Sequence, residues 1–409
     1  MTQTEPGRGD AAAGACPVHN FDYTQLKPVG TWHAAYDRLR EESPVIRNEF
    51  GPGFWTVLNH EGILEILQNP ETFSNSVVTP LDPNPQYRWI PEMLDGDEHL
   101  QWRRQLGPLF APKTVELLEA KVRQRAIDLI EDIASRDSAQ CDLMTEFAQR
   151  YPTTIFLELM GLPVEELDRF MEWEHAILHS SSDSVEVRGR RQFAAMRAVM
   201  GRFASIVAER RVEPRDDIVS KALTFEIDGK PVSDEDLLSF CLLMFMAGLD
   251  TVSATLGWSF YHLATHPQDR RRIVEEPELI PSAVEELLRT YAIVVPARKV
   301  MRDTEIQGFP MSAGDMVGIP LSGATRDVAA FPDAATVDIE RRPNNHIAFG
   351  AGPHRCLGSH LARRELRIAL EEWHKRIPEY RLRPDAELVE TGAQLGLTSL
   401  PLEWDSQHS

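Results

Sequence analysis

One apolar stretch sets the scale of whatever this chain folds into. Ser233-Asp234-Glu235-Asp236 reads as a capping box, with an acid three positions after the serine. No proline follows until Pro267. A helix from there to Thr265, roughly 32 residues, would be about 48 Å long and would cross a whole domain. Leu242, Leu243 and Phe245 supply a core-facing stripe, and the most apolar part, Leu237 to Leu249, is too short to span a bilayer. Asp250 and Thr251 interrupt the apolar run. A buried polar group without a partner costs about 1–3 kcal/mol, and an unpaired charge more, so this pair needs a partner or a chemical role.

The second informative stretch is Asn344-Asn345-His346-Ile347-Ala348-Phe349-Gly350-Ala351-Gly352-Pro353-His354-Arg355-Cys356-Leu357-Gly358. It sets a cysteine on a glycine-rich turn ahead of an amphipathic segment from about Leu357 to Trp373, where Leu361, Ala362, Leu366, Ala369, Leu370 and Trp373 recur at helical spacing. The positive end of a helix dipole lowers a cysteine pKa and favours the thiolate. Gly350, Gly352 and Gly358 let the backbone turn tightly and approach a flat ligand. A lone cysteine is ordinarily a small buried hydrophobe, so the whole string, not the cysteine, carries the functional reading.

The 409 residues allow one large unit or two to three domains, and 42% hydrophobic content is enough for a sizeable core. A net charge of −20 argues against nucleic-acid binding. Cys16, Cys141, Cys241 and Cys356 have neither paired nor metal-type spacing, which points to a reducing compartment. The polar N-terminus has no apolar run behind it, so a cytoplasmic protein without a membrane anchor is expected. Residues 1 to about 30, broken by Pro17 and Pro28, read as a flexible arm, and residues 31–409 as one domain.

Along the chain, a helix is predicted around Trp32–Glu42, a hairpin from Val45–Phe50 and Phe54–Leu58, and a helix over Glu61–Gln68. Glu71 to Gly96 holds Pro80, Pro83, Pro85 and Pro91, and a loop of that length is usually functional. It leads into Asp95-Gly96-Asp97-Glu98-His99-Leu100-Gln101-Trp102-Arg103, where His99 and Arg103 would share a helix face. The region from Thr114 to Arg211 reads as helical scaffold and lid. Glu286 and Arg289 form a Glu-x-x-Arg pair, and Arg341 ends Val337-Asp338-Ile339-Glu340-Arg341. Strand-like pieces follow at Asp303–Ile306 and Asp315–Ile319, and Ala393 to Trp404 reads as a closing hairpin whose turn dips into a pocket.

Taken together, His-x-x-x-Arg, Ala-Gly-x-Asp-Thr, Glu-x-x-Arg, the Arg341 string and Phe-Gly-x-Gly-x-His-x-Cys-x-Gly, in that order along the chain, resemble the cytochrome P-450 superfamily in its soluble bacterial form. The resemblance implies a mainly α fold with a small β-rich region enclosing haem b. Cys356 would be the iron ligand. Ala247, Gly248, Phe349, Gly350 and Gly358 would lie against the cofactor, and His99, Arg103, Arg298 and His346 would contact its propionates. The central helix would bulge over the iron, with Gly248 leaving room for dioxygen and Asp250 and Thr251 delivering protons. Glu286, Arg289 and Arg341 would form a structural network that positions the cysteine loop.

The activity implied is insertion of one atom of dioxygen into a small, largely apolar substrate, the thiolate favouring O–O cleavage. Electrons would come from a ferredoxin and its reductase, docking on a basic patch of Arg104, Arg355, Arg363, Arg364 and Arg367. The Tyr87-Arg88-Trp89-Ile90-Pro91 segment resembles that of camphor-type hydroxylases. A monoterpenoid pocket lined by Val78, Tyr87, Leu243, Met246, Ala247, Val294 and Gln394 follows from that likeness. Aromatic acids, fatty acids or a natural-product intermediate are alternative substrates. A haem-thiolate sensor without turnover is the alternative outside catalysis.

Overall fold

The computed structural model describes residues 16–178, 185–392 and 394–405. Its axis is the helix Asp234–Thr265, capped by Ser233, whose Oγ accepts the Asp236 N–H at 3.1 Å. By length and apolarity this helix could cross a membrane, but here it is the core of the protein. Helices Arg150–Leu159, Val185–Val212, Ile280–Thr290 and Ser359–Arg376 pack on it. The last of these also packs along Pro112–Ala134, which fixes the start of the helix that follows Cys356.

The central helix belongs to two hydrophobic cores. Leu237, Phe240, Leu242, Phe245 and Leu249 pack with Phe156, Phe170 and Phe203 of the lid-side helices. Val252, Ala254, Leu256, Trp258, Phe260 and Leu263 pack with Ile368, Leu370 and Trp373. Asp250 and Thr251 sit where the two cores divide. The sequence shows one continuous apolar run; its partition appears only once the neighbours are in place.

The β-rich region is a six-stranded sheet in the order Val18–His19, Val45–Asn48, Phe54–Val57, Met316–Gly318, Ala297–Val300, Phe73–Ser74. The predicted hairpin is its second and third strands, antiparallel with Val45 opposite Val57 and Arg47 opposite Trp55. Val317 pairs with Trp55 on one side and with Arg298 on the other. A third core, including Val45, Val57, Ile63 and Val317, lies beneath.

Two expectations change here. Residues 16–30 are not a loose arm: Val18 pairs in parallel with Arg47, and Pro28 pairs with Val389. Short strands can sit beside prolines at a sheet edge, where no inward N–H is required; residues 1–15 lie outside the described residues. Nor is Ala393–Trp404 a single hairpin. Gly396–Leu397 pairs back with Val389–Thr391, whereas Pro401–Glu403 joins Arg381–Leu382 and Gln140–Asp142 in another sheet. Periodicity gives strands but not partners, and these partners are remote in sequence.

Candidate active site

The cysteine loop is built by backbone bonds. Gly350 N–H reaches Ile347 O at 2.8 Å, Cys356 N–H reaches Phe349 O at 2.8 Å, and Arg355 N–H reaches Gly352 O at 3.2 Å. Gly352 has φ +68° and packs so closely that a Cβ would run into the Leu67 carbonyl. Gly350, at φ +70°, has open space where its Cβ would be, so the backbone there presents a bare face. Leu357 and Leu361, just beyond Cys356, pack in the same core as Phe240–Leu249. The cysteine turn and the central helix therefore border one cleft.

Cys356 sits deep in the fold yet is exposed on one side, as a cleft-lining group must be. Burial pushes its thiol pKa up, against the Gly358 N–H and the charges of Arg103 and Arg355, which lower it. In the protein alone, desolvation is the largest of these influences. A cation placed against the sulfur would reverse that balance.

Across the cleft, Ala247 is exposed at the middle of a largely apolar helix, and Leu243 belongs to none of the cores. With Thr251 they form an i, i+4, i+8 stripe that packing leaves open. Met246 and Val294 are half-buried at the core edges, and Val78 is half-buried as well. The helix does not bulge: it is continuous, and the Thr251 hydroxyl donates to Ala247 O at 3.1 Å. Gly248 does not face the cleft either. A Cβ there would point at Phe156 Cδ2, 3.2 Å away, so this glycine permits close helix packing. Asp250 is buried and accepts a 2.8 Å hydrogen bond from Gln394 Nε2. Gln394, expected on the substrate, instead has its amide on the acid.

Basic groups gather at the other end of the cleft. Arg298 is buried, donates to Ala297 O at 2.7 Å, and has no carboxylate partner among the described residues. His99 stacks on His354 with ring centroids 3.9 Å apart. Burial and the neighbouring His354 and Arg103 charges depress its pKa to about 3. His354 lies 3.6 Å from Asp95, and its Nδ1 is buried without a partner. Arg103 donates to the Arg355 carbonyl at 2.7 Å, next to the cysteine. His346 is not part of this cluster. Its Nδ1 accepts the Ala348 N–H at 3.2 Å, so its Nε2–H donates to Glu285 at 3.0 Å, and no ring nitrogen is left for a propionate. His354, two residues before Cys356 in the same motif, holds the position expected of His346.

Behind the loop, Glu286 accepts from Arg289 at 2.7 and 2.8 Å, from Arg341 at 3.0 and 3.1 Å, from Asn344 at 3.1 Å and from Asp338 N–H at 2.9 Å. Beside it, Glu285 holds Arg363 at 2.6 and 2.9 Å, and Arg363 lies 4.5 Å over the Phe349 ring. Asn344 and Glu285 escaped the sequence reading because a lone amide or a second glutamate in Glu-Glu carries no pattern.

The Glu71–Gly96 loop is tethered. Ser74 donates to Asp95 at 2.5 Å, and Arg88 reaches Glu98 at 2.5 Å and Asp236 at 3.1 Å. Tyr87 is half-buried against Trp89, ring centroids 5.3 Å apart, and burial together with Asp82 raises its pKa to about 12.

This donor set fits haem b. An unpaired buried guanidinium and an orphaned imidazole nitrogen call for anions, as the two propionates would supply. The half-exposed thiol and the bare Gly350 face suit a flat metal complex. The cytochrome P450 family profile matches residues 23–376. The probable cytochrome P450 127A1 of Sinorhizobium fredii is 33% identical over 92% of this chain and 91% of its own length. The mycinamicin IV hydroxylase/epoxidase of Micromonospora griseorubida is 32% identical over 90% and 94%. The crystal structure of CYP101J2 superposes with a TM-score of 0.86 at 30% identity, covering 98% of this chain and all of that one. A cysteine turn facing an open helical stripe, with buried cations at its edge, is thus the site of a haem-thiolate enzyme, and the chain belongs to the cytochrome P450 family of monooxygenases.

Proposed function

We propose that this monooxygenase hydroxylates a compact, largely apolar substrate of monoterpenoid size in the cytoplasm, with electrons from a ferredoxin. The observation that carries the reading is the open stripe Leu243–Ala247–Thr251, flanked by Asp250, on the cleft side opposite Cys356. When bound, haem b supplies dioxygen activation and oxygen-atom insertion. The chain contributes the rest. Cys356 Sγ would hold the iron, and Arg298, His99, His354 and Arg103 would hold the propionates.

Leu243, Met246, Ala247, Val294 and Val78 exclude water and shape a mostly apolar pocket. Proton delivery falls to Thr251 Oγ1 and the Asp250 carboxylate. The Thr251 hydroxyl, resting on a carbonyl, can turn toward the cleft at the cost of one hydrogen bond, and Asp250 can resupply it. Tyr87, whose phenol has no hydrogen-bond partner among the described residues, is the polar handle for a substrate oxygen.

The ferredoxin reading rests on a smaller patch than the sequence suggested. Arg363 is paired with Glu285, Arg364 and Arg367 with Glu119, and Arg367 also with Glu371. Arg355, in the cysteine loop, and Arg104, on the helix whose Arg103 bonds the Arg355 carbonyl, remain without carboxylate partners among the described residues. Two free guanidiniums on a chain of net charge −20 would guide an acidic protein to this face.

The test is an optical titration of the ferric enzyme with camphor-like ketones, cyclic ethers, aromatic acids and fatty acids, followed through the low- to high-spin Soret change. Compact oxygenated terpenoids should give a near-complete change, and Tyr87→Phe should weaken them about tenfold, the effect of one buried hydrogen bond. A response confined to long-chain or aromatic acids would end the monoterpenoid reading.

A further inference from the structure

Gln394 occupies an unusual place. It lies in the turn between strands Val389–Thr391 and Gly396–Leu397, and that turn is clamped on both sides of the glutamine. Leu395 N–H donates to Ile293 O at 2.9 Å, and its own carbonyl accepts the Trp258 Nε1–H at 2.9 Å. Thr391 Oγ1 accepts the Gly396 N–H at 3.3 Å and donates to the Gln394 carbonyl. Trp258 stands on the central helix two turns beyond Asp250, so the turn and the acid are registered on the same element.

From this platform Gln394 Nε2 reaches Asp250 Oδ2 at 2.8 Å. A carboxylate only accepts, so the amide orientation follows from the chemistry. The bond is charge-assisted and largely shielded from water, since Asp250 is 8% exposed.

We propose that Gln394 is a positioning residue for proton delivery, fixing one oxygen of the carboxylate of Asp250, the residue that precedes Thr251 on the central helix. This rests on the proton-delivery role given above to Asp250 and Thr251. The proton taken from solvent by Asp250 passes to Thr251 Oγ1 as that hydroxyl gives up its own, so neither residue changes net protonation over a cycle. Without the amide, Oδ2 loses the Gln394 hydrogen bond in a poorly hydrated site, and the carboxylate is less firmly oriented.

The experiment uses the full-length, haem-loaded enzyme as Gln394→Leu, Gln394→Glu and Asp250→Asn. Carbon monoxide on the reduced enzyme is the first probe, because its stretching frequency reports the electric field on the distal side without substrate or turnover. The second readout is product and hydrogen peroxide formed per NADH with a surrogate ferredoxin system and the compound giving the largest spin change. Gln394→Leu should shift or split the CO band and lower product per NADH about tenfold, with peroxide rising to match, a smaller loss than about a hundredfold for Asp250→Asn.

Gln394→Glu keeps the shape but sets like charges together, and should displace the CO band further. If both Gln394 variants match wild type in CO band and product yield while Asp250→Asn is impaired, the positioning role is wrong. A drop in thermal midpoint alone would overturn it too, leaving Gln394 a structural tie. Should Asp250→Asn itself behave as wild type, the proton-delivery reading falls and this proposal falls with it.

Discussion

The two walls of the cleft are built by opposite means. On the Cys356 side, Glu286 accepts from Arg289, Arg341, Asn344 and the Asp338 N–H, and other Arg289 donors end on the carbonyls of Thr325 and Ala334, both at 2.8 Å. Glu286 and Arg289 are fully buried. On the central-helix side the open stripe is mostly apolar, and its directional contacts include the Thr251 hydroxyl on a carbonyl and Gln394 on Asp250. A buried ionic network is expensive to break from one side and so resists displacement. An apolar wall has no such directional demand and can vary in shape. Rigidity is thus placed where a sulfur must hold its position, and adaptability where a substrate must fit.

The contrast breaks most completely at Cys356. Cys356→Ala should abolish turnover and replace the thiolate-type Soret band of the reduced CO complex with that of a haem lacking a sulfur ligand, while Arg298 and His354 still retain cofactor. A Cys356→Ala protein with a wild-type CO spectrum would overturn the ligand assignment.

Next in size is Glu286→Ala, which strands Arg289 and Arg341 and should cost about 3–5 kcal/mol in urea unfolding. On the opposite wall, Leu243→Ala should change stability by less than about 1 kcal/mol, since Leu243 belongs to no core, yet alter the spin-shift dissociation constant of a bound terpenoid. Equal destabilisation by the two variants would erase the contrast.

The smallest effect is acid-dependent. Burial alone would raise the Glu285 pKa, but bonds from His346 and Arg363 prevail and pull it to about 2 from the usual 4.5. A depressed carboxylate pKa contributes stability that is complete above pH 4.5 and is lost as pH falls toward 2. Glu285→Gln should therefore be less stable than wild type at neutral pH, with a flatter decline across that acid window. Parallel pH–stability curves for the two proteins would refute this.

Much of the site was legible in residue order. Cys356 with its glycines, Ala247 to Thr251 on one helix, and Glu286 with Arg289 are local patterns whose chemistry is carried by spacing of a few residues. What escaped were choices among equals. His346 and His354 both lie in the cysteine stretch, and only packing shows that Glu285 takes the first while the second stacks on His99. Five arginines read as one basic patch until Glu119, on another helix, neutralised Arg364 and Arg367. Gln394 read as a pocket residue because its target is 144 positions away.

By itself, the sequence determined the helical scaffold, the cysteine turn and the acid–hydroxyl pair, because helix caps, glycine turns and apolar periodicity act over a handful of residues. Only the tertiary structure decided that the central helix splits between two cores at Asp250, that Gly248 faces Phe156 rather than the cleft, and that Asp250 is held by Gln394. These follow from which distant surfaces meet. The direction of a Cβ or the partner of a carboxylate is fixed by packing between elements, and no local pattern encodes it.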